Sequence, residues 1–436
     1  MPVDLSPLQS LRDAFTSAST TPSAITSSFA AKANSNASRN VYLVAYADES
    51  LRRAQQLPNL FPNAQNRPPL YGIPVSIKDC FDVTGSITSC GSRFYAQLNP
   101  RAGKNSWVAQ RLLDAGAILT GKTHLHQLAY GITGENADYG DCLQPRDPTL
   151  LTGGSSSGAA ASVQEGSAMV AIGTDTGGSV RVPAALCGLT GYRTSHGVGR
   201  GEARWTGGYH LAPTFDTIGM LFRDLRDAPT LANAIFDIAA VAPPTKIRIG
   251  YADGELLRDS DPAVLNAYEA WKQILTQQHG ATLIPFDTTF WADSPAIYSP
   301  IVAAEAAVIH RDHFQHFEPA IAERLAFGAS IPAPELSGLR SRLEQFRSQM
   351  AALLDRFDFL IAPSAPISKL YAGHDHTESR KAILRYTTPA SLCGLPAVTL
   401  PGEQIGAPLG TGVQLLAAAM NDAMLLGFAS TLSRQN

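Results

Sequence analysis

Between Leu151 and Gly191 the chain runs LTGGSSSGAAASVQEGSAMVAIGTDTGGSVRVPAALCGLTG, two Gly/Ser-rich turns separated by a small-residue helix and an apolar strand. That order brings two short loops together at one end of a sheet. Each loop offers hydroxyls and unhindered backbone N–H groups. In GTDTGGS, Gly177 and Gly178 remove the Cβ barrier to unusual φ values. The N–H groups of Thr176, Gly177, Gly178 and Ser179 are then placed to form an anion-binding nest, and the helix-like VRVPAAL begins directly after it. Such a nest suits an oxyanion.

Outward from this stretch, residues from Pro69 to about Val198 repeat the pattern. YGIPVSIKD, WVAQRLLDAGAILTGKT and AMVAIGTD are apolar strands that end in Gly, Asp or Thr and alternate with helices, as expected of an α/β sheet with helices on its faces. The first 60 or so residues have helical spacing, in LQSLRDAF and ESLRRAQQL. Residues 253–357 read as amphipathic helix with no chemical motif and suit a variable helical cover over roughly 255–350. DFLIAP, PAVTLP and GVQLL return to strands before a closing helix from Asn421 to Ser433. Strands at both ends of the chain imply one composite sheet in a single domain over 1–436, with 60–250 and 355–436 as the core that carries the site.

Composition narrows the function. With 436 residues, 44% hydrophobic and 16% charged, the chain can bury an enzyme-sized core. A net charge of -3 with no long basic run gives no footprint for nucleic acid or an anionic membrane. The N-terminus lacks an apolar leader and no long apolar span occurs, so a cytoplasmic protein is expected. Five scattered Cys (Cys80, Cys90, Cys142, Cys187, Cys393) form no CxxC pair, which points to reduced core thiols and away from a thiolate metal site.

A serine in these loops needs a base. His is the usual one, but His124 and His126 in HLHQLAY have neither a triad context nor metal-ligand spacing. Lys78 closes the apolar strand of YGIPVSIKD, and burial there would favour its neutral, basic form. From the residues alone, Ser155, Ser156 and Ser179 all remain open as nucleophile.

Three segments together resemble the amidase signature family: Gly72 to Asp79 (GIPVSIKD), Gly153 to Ser156 (GGSS) and Gly173 to Ser179 (GTDTGGS). AGAILTGKT, NADYG, GLTGYRTSHG, FDTIGML and TTPASLCGLPAVTLPG extend the similarity over most of the chain except about 255–350. The resemblance implies a mixed central β-sheet surrounded by helices and a Ser, cis-Ser, Lys triad. In it Ser179 is the nucleophile, Ser155 on a cis peptide relays protons, and Lys78 is the base. Backbone N–H groups of Thr176, Gly177, Gly178 and Ser179 hold the oxyanion, with no metal or cofactor. Asp175 and Arg181 are expected to hold the nucleophile loop.

The implied activity is hydrolysis of a small-molecule amide, anilide or carbamate by a monomer or homodimer. The alternative is a glutaminyl/aspartyl-tRNA amidotransferase A-type subunit working in a complex. A non-catalytic scaffold is disfavoured by the intact Lys78, Ser155 and Ser179. Tyr130, Gly131, Ile132 and Thr133, within the Tyr130 to Asn136 segment, are expected to wall the substrate pocket. Departures from common family wording at His126, Gln127, Tyr192 and Arg193 fall where substrate choice is expected.

Two pattern matches mislead. GAILTGKT (Gly116 to Thr123) fits a P-loop expression, yet its variable positions are apolar and strand-like. GSSSG (Gly154 to Gly158) fits a nucleophile elbow centred on Ser156, yet no ordered Asp and His partners accompany it.

Overall fold

A computed structural model describes residues 5–35, 39–198 and 201–433. Its centre is an eleven-stranded mixed sheet. The strands are β1 (Tyr42–Ala45), β2 (Pro74–Lys78), β3 (Ile118–Thr123), β4 (Val170–Asp175), β5 (Thr190–Arg193), β6 (Thr217–Phe222), β7 (Arg248–Ala252), β8 (Thr282–Phe286), β9 (Phe359–Pro363), β10 (Ala397–Leu400) and β11 (Val413–Leu416). Their order across the sheet is β1-β3-β2-β4-β6-β5-β10-β11-β9-β7-β8. Strands from the two ends of the chain therefore share one sheet, joined where β5 pairs with β10.

The interior strands β2, β4, β5, β6, β9, β10 and β11 are buried along their whole length. Helices on both faces account for their near-continuous apolar runs. Helix Ser157–Glu165 packs against β2 and β4. Eight of its nine residues are buried, and their small size lets the helix lie close to the sheet.

Two strands depart from the helical reading of their regions, and both are sheet edges. β1 lies inside the N-terminal helical layer and β8 inside the expected helical cover. An edge strand is covered on fewer sides, so its pattern is weak: Ile284 and Pro285 of β8 are exposed, and β1 carries an irregular register against β3. The rest of the cover is helical. Helix Ser294–Ile309, apolar on nearly every face, packs against helices Pro319–Ser330, Ala333–Leu354 and Thr377–Leu392.

Candidate active site

β2 and β4 run parallel, with Ile77 beside Ile172, and this brings Lys78 to the first residues of the loop that leaves β4. Lys78 is 0% exposed. Its Nζ lies 2.8 Å from Ser155 Oγ, 2.7 Å from Thr174 Oγ1 and 3.1 Å from Ser156 Oγ. Three hydroxyls and no carboxylate surround the amine. Burial lowers its pKa to about 8, a fall that the charges of Asp216 and Asp175 only partly oppose.

Ser155 follows a cis peptide bond from Gly154. The Gly154 N–H donates to the Ile132 carbonyl at 2.8 Å, and a Cβ at Gly154 would lie 2.8 Å from the Gly134 nitrogen. Only glycine lets the two loops approach so closely. The Ser156 N–H donates to the Ser179 carbonyl, which ties the first Gly/Ser loop to the second. Ser156 Oγ itself donates to the Thr174 carbonyl, beside Gly173, where a Cβ would collide with it. That hydroxyl is turned into the Lys78 cluster, and His124 bonds Ser157 instead, so no elbow forms.

The second loop is built on Asp175. Its Oδ1 accepts from the Gly178 N–H at 2.9 Å, from Arg181 at 3.0 Å and from Arg193 at 2.9 Å. Burial alone would raise the carboxyl's pKa, but the two guanidiniums outweigh it and hold Asp175 well below the usual carboxylate range. Arg181 reaches on to the Thr387 carbonyl, Gln414 and Ser391, anchoring the loop to the C-terminal half.

Gly178 has φ +119°, and a Cβ there would lie 2.8 Å from the Thr387 side chain. One expectation changes here. The Gly178 N–H is committed to Asp175 and shapes the turn, which leaves Thr176, Gly177 and Ser179 as the amides without a turn or side-chain hydrogen bond among the described residues.

Ser179 is 3% exposed and opens into a narrow cavity lined by Ala129, Tyr130, Gly131, Ile132 and Gly177. Leu211, Tyr298, Arg380 and Leu384 complete the lining. Tyr130, Gly131 and Ile132 thus stand beside Ser179. Thr133 does not. Its hydroxyl donates to Glu135 at 2.6 Å and it lines an adjoining cavity with His126 and Glu318.

None of the four unusual positions lines the cavity above Ser179. Gln127 accepts from the Glu318 N–H and donates to Asp138, and His126 lies 3.4 Å from Glu318. These contacts tie helix Pro319–Ser330 to the wall. Tyr192 donates to Asp422, and Arg193 bonds Asp175 and the Leu395 and Phe215 carbonyls inside the sheet. The GKT match is β3 itself, with Lys122 buried 2.6 Å from Asp79.

Thr174, Tyr298, Thr387 and Arg380 were not singled out in the sequence. Thr174 lies within the GTDTGGS motif and Thr387 opens the TTPASLCGLPAVTLPG segment; Tyr298 and Arg380 lie on helices outside any motif and are brought in only by folding.

A family model described as Amidase matches residues 24–426. The chain belongs to the amidase family. This amidase is 32% identical to AtzE, the 1-carboxybiuret hydrolase component of Pseudomonas sp. strain ADP, over 82% of this chain and 83% of that one. It is 27% identical to the A-type glutamyl-tRNA(Gln) amidotransferase subunit of Chlorobium phaeobacteroides, over 97% and 98% respectively. A solved amidase structure superposes with a TM-score of 0.86 at 27% identity, covering 98% of each chain. The mixed sheet flanked by helices is thus the fold of amidase enzymes.

Proposed function

We propose that this amidase hydrolyses a small-molecule amide, anilide or carbamate through a Ser179 acyl-enzyme. The observation that carries this reading is the buried Lys78 amine, 2.8 Å from Ser155 Oγ and with its pKa lowered to about 8 by burial. A neutral amine is a base of suitable strength. Lys78 takes a proton from Ser155 as Ser155 takes one from Ser179, whose oxygen bonds the substrate carbonyl carbon. The amides of Thr176, Gly177 and Ser179 are the candidates to hold the oxyanion. Collapse breaks the C–N bond, and the proton returns through Ser155 to the departing nitrogen, which leaves as ammonia or an amine. Water, deprotonated along the same relay, then releases the acid and restores Ser179.

A covalent serine reagent followed by mass spectrometry tests the assignment. The expected adduct is on Ser179, Ser179→Ala abolishes it, and Ser155→Ala retains slow turnover. An adduct on Ser156 or on a cysteine sinks the reading.

The second reading is a component of an amidotransferase complex, supported by the similarity to the Chlorobium protein along nearly the whole of both chains. Length does not separate the two. Turnover of free amides by the isolated chain favours the hydrolase, and glutaminase activity seen only with added partner proteins favours the alternative.

A further inference from the structure

The cavity above Ser179 has one charged wall. Arg380, on helix Thr377–Leu392, lines it among residues that are otherwise apolar or uncharged. The same Arg380, with Tyr130, Tyr298 and Leu384, also borders a wider cavity of about 780 Å³. Arg380 therefore stands where the wide cavity meets the nucleophile.

The simplest account of such an arginine is a structural ion pair, and the neighbouring carboxylates do not supply one. Glu378 pairs with Lys381 at 2.7 Å, Asp259 with Arg385 at 3.3 Å and Glu318 with His126 at 3.4 Å. Asp375 accepts from the N–H and hydroxyl of Thr377. Among the described residues Arg380 has no carboxylate within ion-pair distance.

Two further guanidiniums border the wide cavity, Arg385, which pairs with Asp259, and Arg324. Arg324 is committed to the wall, donating to the Ala320 and Tyr130 carbonyls and lying 4.9 Å over the Tyr130 ring. Its pKa is lowered to about 10, first by burial and next by the charge of Arg380. Arg324 and Arg380 share the wide cavity and the cavity of Thr133, both of which carry carboxylates, but Arg380 alone reaches the cavity above Ser179, whose lining holds no anion to partner it. A half-buried guanidinium with free donors is well matched to a carboxylate, which it can grip with two parallel hydrogen bonds.

We infer that the substrate carries a carboxylate, bound by Arg380 while the scissile carbonyl lies at Ser179. The inference rests on Ser179 being the nucleophile of the proposed reaction. Because both groups line one narrow cavity, the carboxylate and the amide are separated by only a few carbons. Arg380 is thus a specificity determinant that selects acid amides over neutral amides of the same shape.

The test uses the monoamides of malonic, succinic and glutaric acids. Each is compared with a neutral amide in which an isopropyl group replaces the carboxylate. Binding is measured by calorimetry on Ser179→Ala and on Ser179→Ala combined with Arg380→Met or Arg380→Lys, and ammonia release is measured on the otherwise native chain. The expected result is that one acid amide binds more tightly than its neutral counterpart. Arg380→Met reduces that preference by about 10- to 100-fold, the range for a charged hydrogen-bonded contact, and Arg380→Lys retains part of it. If no acid amide binds better than its neutral twin, or if Arg380→Met weakens both alike, the inference is overturned. Arg380-dependent binding without any turnover would uphold the inference and remove the hydrolase reading. Turnover of neutral and acid amides alike, insensitive to Arg380, would do the reverse.

Discussion

As the proposed base, Lys78 sets the pH dependence expected of this enzyme. Below a pH of about 8 the amine is protonated and has no lone pair to offer, and above it the base is competent. Initial rates across pH are therefore expected to show kcat/KM rising through about 8 and levelling off above it. Lys78→Met removes the proposed base and should lower kcat by about 10²–10⁴-fold, the usual worth of a general base. Thr174→Val deletes the hydroxyl 2.7 Å from Nζ that orients the amine. Its expected cost is about tenfold in kcat at an unchanged melting temperature. Arg181→Ala belongs to stability: it strips a fully buried carboxylate of one of two cations. Breaking such a pair typically costs 3–5 kcal/mol, a loss that urea denaturation would register.

At the scale of elements, the turn after β4 depends on glycine. Gly178→Ala places a Cβ at φ +119° and 2.8 Å from Thr387. Strain of this kind costs on the order of 1–3 kcal/mol, so the variant is expected to melt earlier and lose activity as the Ser179 loop shifts. The N-terminal helix Pro7–Thr16 shows a second dependence, because the Leu8 N–H in its first turn donates to Asp227 Oδ2 at 3.3 Å. Burial raises the Asp227 pKa to about 6. The raised value means that the folded state holds the proton more tightly than the unfolded chain. Stability from this group is complete below the ordinary carboxylate pKa of 3.8 and is lost as pH rises through about 6. Asp227→Asn keeps an acceptor without the charge. It is expected to gain on the native chain as pH rises, by about 1–2 kcal/mol at neutral pH, in thermal melts run on both sides of that range.

Across the whole molecule, the cavity above Ser179 draws on residues 129–132, 177, 179, 211, 298, 380 and 384, which no local pattern connects. The five cysteines are all free thiols, and burial raises the pKa of each, to about 12 for Cys80 and Cys393. Thiolate is the reactive form. The native chain is therefore expected to react slowly with a thiol reagent at neutral pH and to expose five reactive thiols once denatured, as counted by absorbance. No helix among the described residues is long and apolar enough to cross a membrane.

Much of the site was legible in one dimension because its parts are backbone devices. The loops around Ser155 and Ser179 need runs of small residues, and those runs survive as GGSS and GTDTGGS however the chain is folded. The strand ending at Lys78 is legible for the same reason, as a buried apolar run closed by a charge. The edge strands β1 and β8 were obscured because, covered on fewer sides, they need no strong pattern. Tyr298 and Arg380 were illegible because a helical residue that faces a cavity carries the same periodicity as one that faces the core. Sequence alone thus determined the family, the sheet-centred fold and the serines and lysine available for chemistry. Only the tertiary structure decided that the Gly178 N–H turns back to Asp175, that Thr133 faces another cavity and that an arginine lines the cavity of Ser179, since each depends on how the folded backbone places its neighbours.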